Sequence, residues 1–395
     1  MRGEENQMKH PVIGVVMSVV LLSGATARAQ TTVTDIVSFL VTNQSVLTGD
    51  AARDRAAAEA ARDAITRALV VNLTSVPLAT SSSGFLYRLN PQLGTVERAT
   101  QTFGGFFVER AFAPGHGRAT FGLSASRSSF DRLDDQDLRD GTFLTTANRF
   151  TDEPAPFETD TLTLRISSSS LTAFASVGVT DRVELGAAVP FVRLEVEGQR
   201  VSVYRGGTFL QASGSATASG VGDAALRAKY TVVSGRDGGA AVAAELRVPT
   251  GNEANLLGAG EAAFRLFGIG ALERGPLMVS GNAGIVRGGV SDEITLGAAI
   301  AVHPRLSLTA ELLTRRVEEL APLVQSSRPH PTSVGVQTIR LIADENAGGT
   351  VTAGISGFKW NPTGTLVIGA NVRWGFTTAG LTAPITPTLA FEYAF

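Results

Sequence analysis

Cysteine is absent from all 395 residues, and only 18% of them are charged. The first absence excludes a disulfide-stapled scaffold and a cysteine-ligated metal site. It also fits a chain that crosses an oxidising periplasm before folding. Histidine is scarce, at 4 residues, and His116, His303 and His330 do not stand in a zinc-spaced cluster. There is no phosphate-binding glycine loop and no dinucleotide fingerprint at a strand-to-helix junction. The formal net charge is −2, and no basic stripe points to nucleic acid. Long apolar runs are missing too. After Leu22 no stretch is long and apolar enough for a membrane helix, which takes about 20 such residues. A mature chain that spans a membrane can then do so only as a closed barrel, which satisfies every backbone group in lipid.

What is present begins with an export signal. Lys9 and His10 precede an apolar run over 11–22, and Ala27-Arg28-Ala29 supplies a small-x-small cleavage site. Met8 is an alternative start, and a retained anchor helix is the competing reading of 1–29. Residues 30–80 carry a helical pattern. Asp50 can cap a helix over 51–72, in which Glu59 and Arg62, and Asp63 and Arg67, sit at pairing distances. Its apolar face is mostly alanine, so it must pack closely against something else. We read 30–80 as a helical plug or periplasmic segment, the alternative being a loosely ordered leader, and 81–395 as the barrel domain.

From Ser82 the period changes to 2, with 43 glycines punctuating short alternating segments. The expected strands are 82–89, 100–112, 117–130, 159–179, 183–197, 219–233, 239–249, 259–272, 276–288, 291–302, 305–317, 345–359, 364–376 and 386–395. Short connections alternate with long ones (131–158, 198–218, 250–258, 318–344, 377–385), as in membrane barrels with tight turns at one rim and long loops at the other. The fold class is therefore all-β, a transmembrane antiparallel barrel of about 14 strands. Twelve is the alternative count, and 334–341 is a further segment that can hide in a loop. Within 183–197 the apolar set switches from odd positions to even ones, and Pro190 at the switch predicts a bulge. The last strand, TPTLAFEYAF, sets Leu389, Phe391, Tyr393 and Phe395 on one face and Glu392 on the other. It is expected to pair with 82–89 or, failing that, with 100–112.

Two sequence resemblances go further. The terminal strand, ending on Phe395 after Phe391 and Tyr393, resembles the closing strand of bacterial outer-membrane barrels, which implies reading by the barrel-assembly machinery. The stretches TDRVELGAAVPF (180–191), GVGDAALRAKY (220–230) and LRVPTGN (246–252) resemble the meta-pathway phenol-degradation family of outer-membrane proteins over roughly 160–270. That resemblance implies an outer-membrane barrel linked to uptake of aromatic compounds, and it fixes no catalytic residue. An architectural resemblance to the long-chain fatty-acid and aromatic-hydrocarbon channels rests on strand count, since 31–80 lacks that family's hatch motif.

Alternation assigns an inward set: Arg165, Glu184, Asp223, Arg227, Lys229, Glu245, Arg247, Arg265, Glu293, Glu311, Arg315, Asn371, Arg373 and Glu392. Each lipid-facing charge near the bilayer centre would cost about 2–4 kcal/mol, so these belong in the lumen as selectivity candidates. A hairpin turning at 237 places Lys229 beside Glu245, Arg227 beside Arg247 and Asp223 opposite Gly251. Pro249 and Gly251 then shape the rim, a reading we prefer to ligand binding. Mixed signs suit either a water-filled pore or a lumen sealed by ion pairs. The acidic run Asp131, Asp134, Asp135, Asp137 and Asp140 reads as a solvated loop, its spacing not being that of a calcium loop. Ser326 and Ser327 near His330 are the sole hint of a lipid hydrolase. The expected function is an outer-membrane channel or transporter for a small aromatic or hydrophobic solute, with lipid and the assembly machinery as partners. It needs no metal or cofactor and is not an enzyme. The alternative is a structural or surface-interaction barrel with a closed lumen.

Overall fold

The structure is a computed structural model describing residues 31–42, 46, 50–74, 87–90, 95–98, 102–235, 237–287, 292–317, 320, 322–344 and 348–395. No helix among them is long and apolar enough to cross a membrane. In chain order the elements are α1 (Val33–Thr42), α2 (Ala51–Thr74), β1 (Tyr87–Asn90), β2 (Thr95–Arg98), β3 (Ala119–Phe130), β4 (Arg132–Leu133), β5 (Gln136–Asp137), β6 (Leu144–Phe150), β7 (Glu158–Gly178), β8 (Val183–Tyr204), β9 (Gly207–Val221), β10 (Ala224–Ser234), β11 (Gly238–Val248), β12 (Ala263–Arg274), β13 (Leu277–Arg287), β14 (Asp292–His303), β15 (Leu306–Val317), β16 (Leu323–Pro329), β17 (Val336–Ala343), β18 (Gly349–Trp360), β19 (Leu366–Gly375), β20 (Leu381–Thr382) and β21 (Ile385–Ala394).

These strands close an antiparallel barrel of 12, not fourteen. β9 and β10 act as one line, because β8 pairs with β9 along its upper part and with β10 along its lower part. The two surplus strands fail for separate reasons. Of 82–89, residues 82–86 lie outside the described residues, and Tyr87–Asn90 pairs only with Thr95–Arg98. Of 100–112, the described residues 102–112 form no strand. The seam is therefore β21 on β3, with Phe391 opposite Leu123 and Glu392 opposite Gly122. Phe391, Tyr393 and Phe395 point outward and Glu392 is buried inside. The long connections are also more ordered than the sequence implies. Residues 198–218 continue the β8–β9 hairpin, and 323–343 form the hairpin β16–β17, which pairs through β6 onto the upper part of β7.

Pro190 carries no bulge. β7 and β8 pair in unbroken register from Gly178–Glu184 to Glu158–Tyr204, and even-numbered residues face inward on both strands up to Asp160 and Ser202. What inverts is the chemistry of the two sides. Up to Phe191 the outward residues of β8 are apolar (Leu185, Val189, Phe191), while inward Glu184 is charged. Beyond it the outward residues are Arg193, Glu195, Glu197 and Gln199, and the inward ones are Val192, Leu194 and Val196. The wall thus leaves lipid near residue 191. About nine residues per strand, tilted, is the length a membrane strand needs. Above that level the same strands form the shell of a water-exposed unit with an apolar interior.

That interior is filled by α1, α2 and the outer loops. Asp50 caps α2 by accepting from Ala52 and Arg53 N–H, both at 3.1 Å. The buried face of α2 is Ala57, Ala58, Ala61, Ile65, Ala68 and Leu69, small enough for close approach. Val37, Leu40 and Val41 of α1 join Leu162, Leu164, Val192, Leu194, Leu133, Leu257, Leu341 and Leu381 in one hydrophobic core. Loops from several sides of the barrel therefore meet over its mouth. Arg200, inward on β8 and fully buried, ties this cap to the wall. It donates to Asp160 at 3.1 Å, to the Val41 carbonyl at 2.8 Å and to Thr145 Oγ1 at 2.9 Å. Asp160→Asn keeps the shape but removes the buried countercharge, so a loss of about 3 kcal/mol is expected. A lowered urea midpoint in lipid vesicles checks it.

Candidate functional site: the lumen and its internal arch

Inside the barrel, residues 102–113 form an arch with no strand pairing of its own. One foot stands where Phe103 N–H donates to Ser307 Oγ at 3.0 Å and Lys359 Nζ donates to the Gly105 carbonyl at 2.6 Å. Ser307 and Lys359 lie near the short-turn ends of β15 and β18. The chain then rises to Glu311. The carboxylate of Glu311 accepts three successive backbone N–H groups, from Phe106 (2.6 Å), Phe107 (2.7 Å) and Val108 (2.8 Å). At the crown Asn282 Nδ2 donates to the Phe107 carbonyl at 3.5 Å. The descending limb runs down β10. Glu109 pairs with Arg227, Lys229 Nζ donates to the Arg110 carbonyl at 3.4 Å, and Thr231 Oγ1 both donates to the Ala111 carbonyl and accepts from Ala113 N–H.

Close packing accompanies the bonding. A side chain at Gly105 would meet the Glu311 carboxylate at 2.7 Å, and one at Gly239 would meet the Phe112 ring at 2.8 Å. Lys359 lies over the Phe106 ring at 4.5 Å. A buried backbone must find partners for its polar groups. Here the wall side chains Ser307, Glu311, Asn282, Lys229, Thr231 and Lys359 supply them in place of a neighbouring strand.

The expected inward set divides by place. Glu184 and Lys229 pair at 2.7 Å, both buried. Glu245 pairs with Arg247 at 3.0 Å and Arg265 at 3.4 Å. Arg315 and Glu392 are buried inside, and Arg373 donates to Thr386 Oγ1 at 3.5 Å. Asn371 is buried inward as well. Asp223 sits at the break between β9 and β10, where it accepts from Gly251 N–H at 3.0 Å and Ala259 N–H at 2.7 Å. It fastens the loop after β11, close to the rim-shaping role read for this motif. Glu293 lies opposite Arg315 in register, but its side chain falls outside the described residues. Arg165 faces outward, 69% exposed and 3.9 Å from Glu197, because it stands above the lipid belt where an outward charge is solvated.

The cross-strand register also differs by two residues. A bulge between Thr231 and Val233 and a tight turn set Arg227 opposite Glu245 and Lys229 opposite Ala243. Glu109, Arg110 and Lys359 were not in the expected set. In the acidic loop the carboxylates serve the chain itself. Asp134 accepts from Leu323 and Gly380 N–H, and burial nevertheless pushes its carboxyl up from its ordinary value. Asp137 accepts from Arg139 N–H, and Asp140 from Thr142. No cluster of three or more His, Asp or Glu able to hold a metal occurs among the described residues. His330 Nδ1 accepts from Thr332 and Ser333 N–H, while Ser327 bonds Gln337.

No protein-family model matches the chain, and no curated protein matches it. The phenol-degradation resemblance of 160–270 thus rests on its motifs alone. Among solved structures, an outer membrane channel from Pseudomonas putida F1 has a TM-score of 0.48 at 13% identity, over 72% of this chain and 98% of that chain. The translocator domain of the autotransporter NalP from Neisseria meningitidis gives 0.33 at 10% identity, over 71% and 89%. The toluene transporter TbuX from Ralstonia pickettii gives 0.29 at 10% identity, over 71% and 90%.

Proposed function

We propose that the protein is an outer-membrane channel for a small solute, closed at rest by two barriers in series. The observation that carries this is the way the arch is held. Its bonds run from wall side chains to arch backbone, with the one ion pair Glu109–Arg227 beside them, so the arch can leave without breaking a strand ladder. The outer barrier is the apolar cap of α1, α2 and the loops. In this reading 1–29 is the export signal, the helices of 30–80 belong to the cap, and the assembly machinery reads β21. An apolar solute is supported by the inner wall below the cap, where Phe267, Ile269, Ala241, Ala243 and Ala271 cluster.

The test is conductance in planar bilayers. Four proteins are compared: the native chain, one with 102–113 replaced by an equal-length Gly/Ser segment, one lacking 31–74, and one carrying both changes. The native chain should be nearly silent and the doubly changed one should conduct steadily. A doubly changed barrel that is folded, by its heat-modifiable gel mobility, yet silent would refute the channel. That outcome would favour the second reading, a closed structural barrel, for which the buried Lys229–Glu184 and Arg247–Glu245 pairs speak.

A further inference from the structure

We infer that the arch occupies a binding site for a small organic anion, with Glu109 and Ala111 standing in for its carboxylate and its apolar body. The inference deepens the channel reading and rests on it for the solute's passage. Its own ground is the wall beneath the arch. Arg227 on β10, Glu245 on β11 and Arg265 on β12 stand directly opposite one another on adjacent strands. Arg247, two residues along β11, shares the Glu245 carboxylate with Arg265. Three guanidinium groups thus surround one wall carboxylate. The second carboxylate at this place is Glu109, brought by the arch, and its pair with Arg227 is almost wholly buried, at 7% and 6% side-chain exposure.

Next to the guanidinium groups the wall becomes apolar. Arg227 lies over the Phe267 ring at 5.4 Å, and Phe267 packs on the cluster of Ile269, Ala241, Ala243 and Ala271. The arch covers that cluster with Ala111, which is fully buried. The occupant therefore presents a carboxylate to a guanidinium and, two residues on, a small apolar group to an apolar wall. When the arch withdraws, Arg227 loses its Glu109 carboxylate and the apolar cluster loses Ala111, so both halves of the site are left open. An incoming aromatic or branched aliphatic carboxylate replaces both contacts at once. Its carboxylate meets the Arg227 fork, a geometry suited to paired hydrogen bonds. A neutral hydrocarbon would satisfy only the apolar half.

The probe is benzoate, with benzamide as its neutral counterpart, titrated calorimetrically into the full-length protein whose 102–113 segment is the Gly/Ser replacement. Benzoate should bind with a Kd below about 1 mM, and benzamide at least about tenfold more weakly. Adding Arg227→Gln should weaken benzoate about tenfold and leave benzamide unchanged, and the native chain should bind benzoate more weakly because the arch competes. Equal binding of the two probes, or benzoate binding indifferent to Arg227→Gln in a folded barrel, overturns the inference. The bilayer arms separate the two readings. Conductance without benzoate preference removes the anion site and keeps the channel, whereas benzoate binding in a silent barrel keeps the site and removes the channel.

Discussion

Replacing Glu311 by alanine is expected to loosen the middle of the arch while leaving the barrel wall closed. The wall is held by backbone pairing of β15 with β14 and β18, which the substitution does not touch. The arch depends on Glu311 for three consecutive N–H partners. Each buried donor left without an acceptor costs about 1–3 kcal/mol. Three of them outweigh any single hydrogen bond left at Ser307, Lys359, Lys229 or Thr231, each about 1 kcal/mol net, so 106–108 loosens while the feet and the Glu109–Arg227 pair stay in place. That stretch therefore loses about 3 kcal/mol or more, and amide exchange at 106–108 should accelerate by a factor on the order of 100. Glu311→Gln retains one acceptor oxygen and should fall between. Gly105→Val approaches the same contact from the arch side. Its Cβ would lie 2.7 Å from the carboxylate, so it should loosen the same amides with the wall intact. Unchanged exchange at 106–108 in Glu311→Ala would show that the carboxylate does not hold the arch.

The barrel was legible in the sequence because alternation is a local property of strands, and twelve of the expected segments overlap strands of the barrel wall. The arch was not. Residues 100–112 alternate well enough to read as a strand, but Glu109 falls on one face and Arg110 on the other. A membrane strand can seldom accept charge on its lipid side, so this double placement was the available signal. Phenylalanine on both faces, Phe103 and Phe107 on one and Phe106 and Phe112 on the other, masks it. Inward residues such as Glu245 and Lys229 were found because a charge among outward aliphatics has one sensible direction. Their partners were not, since a two-residue change of register follows from one bulge and one turn residue. Arg165 went astray for another reason. Alternation names two faces without saying which medium each meets, and above residue 191 the media exchange.

That exchange leads to the sharpest contrast in expected stability, on a single strand. Ala187 points to lipid at the middle of the β8 belt, so Ala187→Arg should cost about 2–4 kcal/mol. Leu194 points inward and is fully buried among Leu164, Val37 and the rest of the cap core. Leu194→Arg loses the apolar transfer energy of leucine and leaves a charge with no partner, which places it above about 4 kcal/mol, the range reserved for buried charges and disrupted cores. Arg193→Leu, one residue away, should stay within about 1 kcal/mol, because its pair with Glu195 at 2.8 Å is largely exposed. A bulge at Pro190 would reverse the last two results, turning residue 194 to solvent and residue 193 to the core. Urea midpoints of the three variants in vesicles decide between the arrangements. Tolerance of Leu194→Arg together with failure of Arg193→Leu would mean that the strand slips at Pro190 and that the cap core is not where even-numbered residues point.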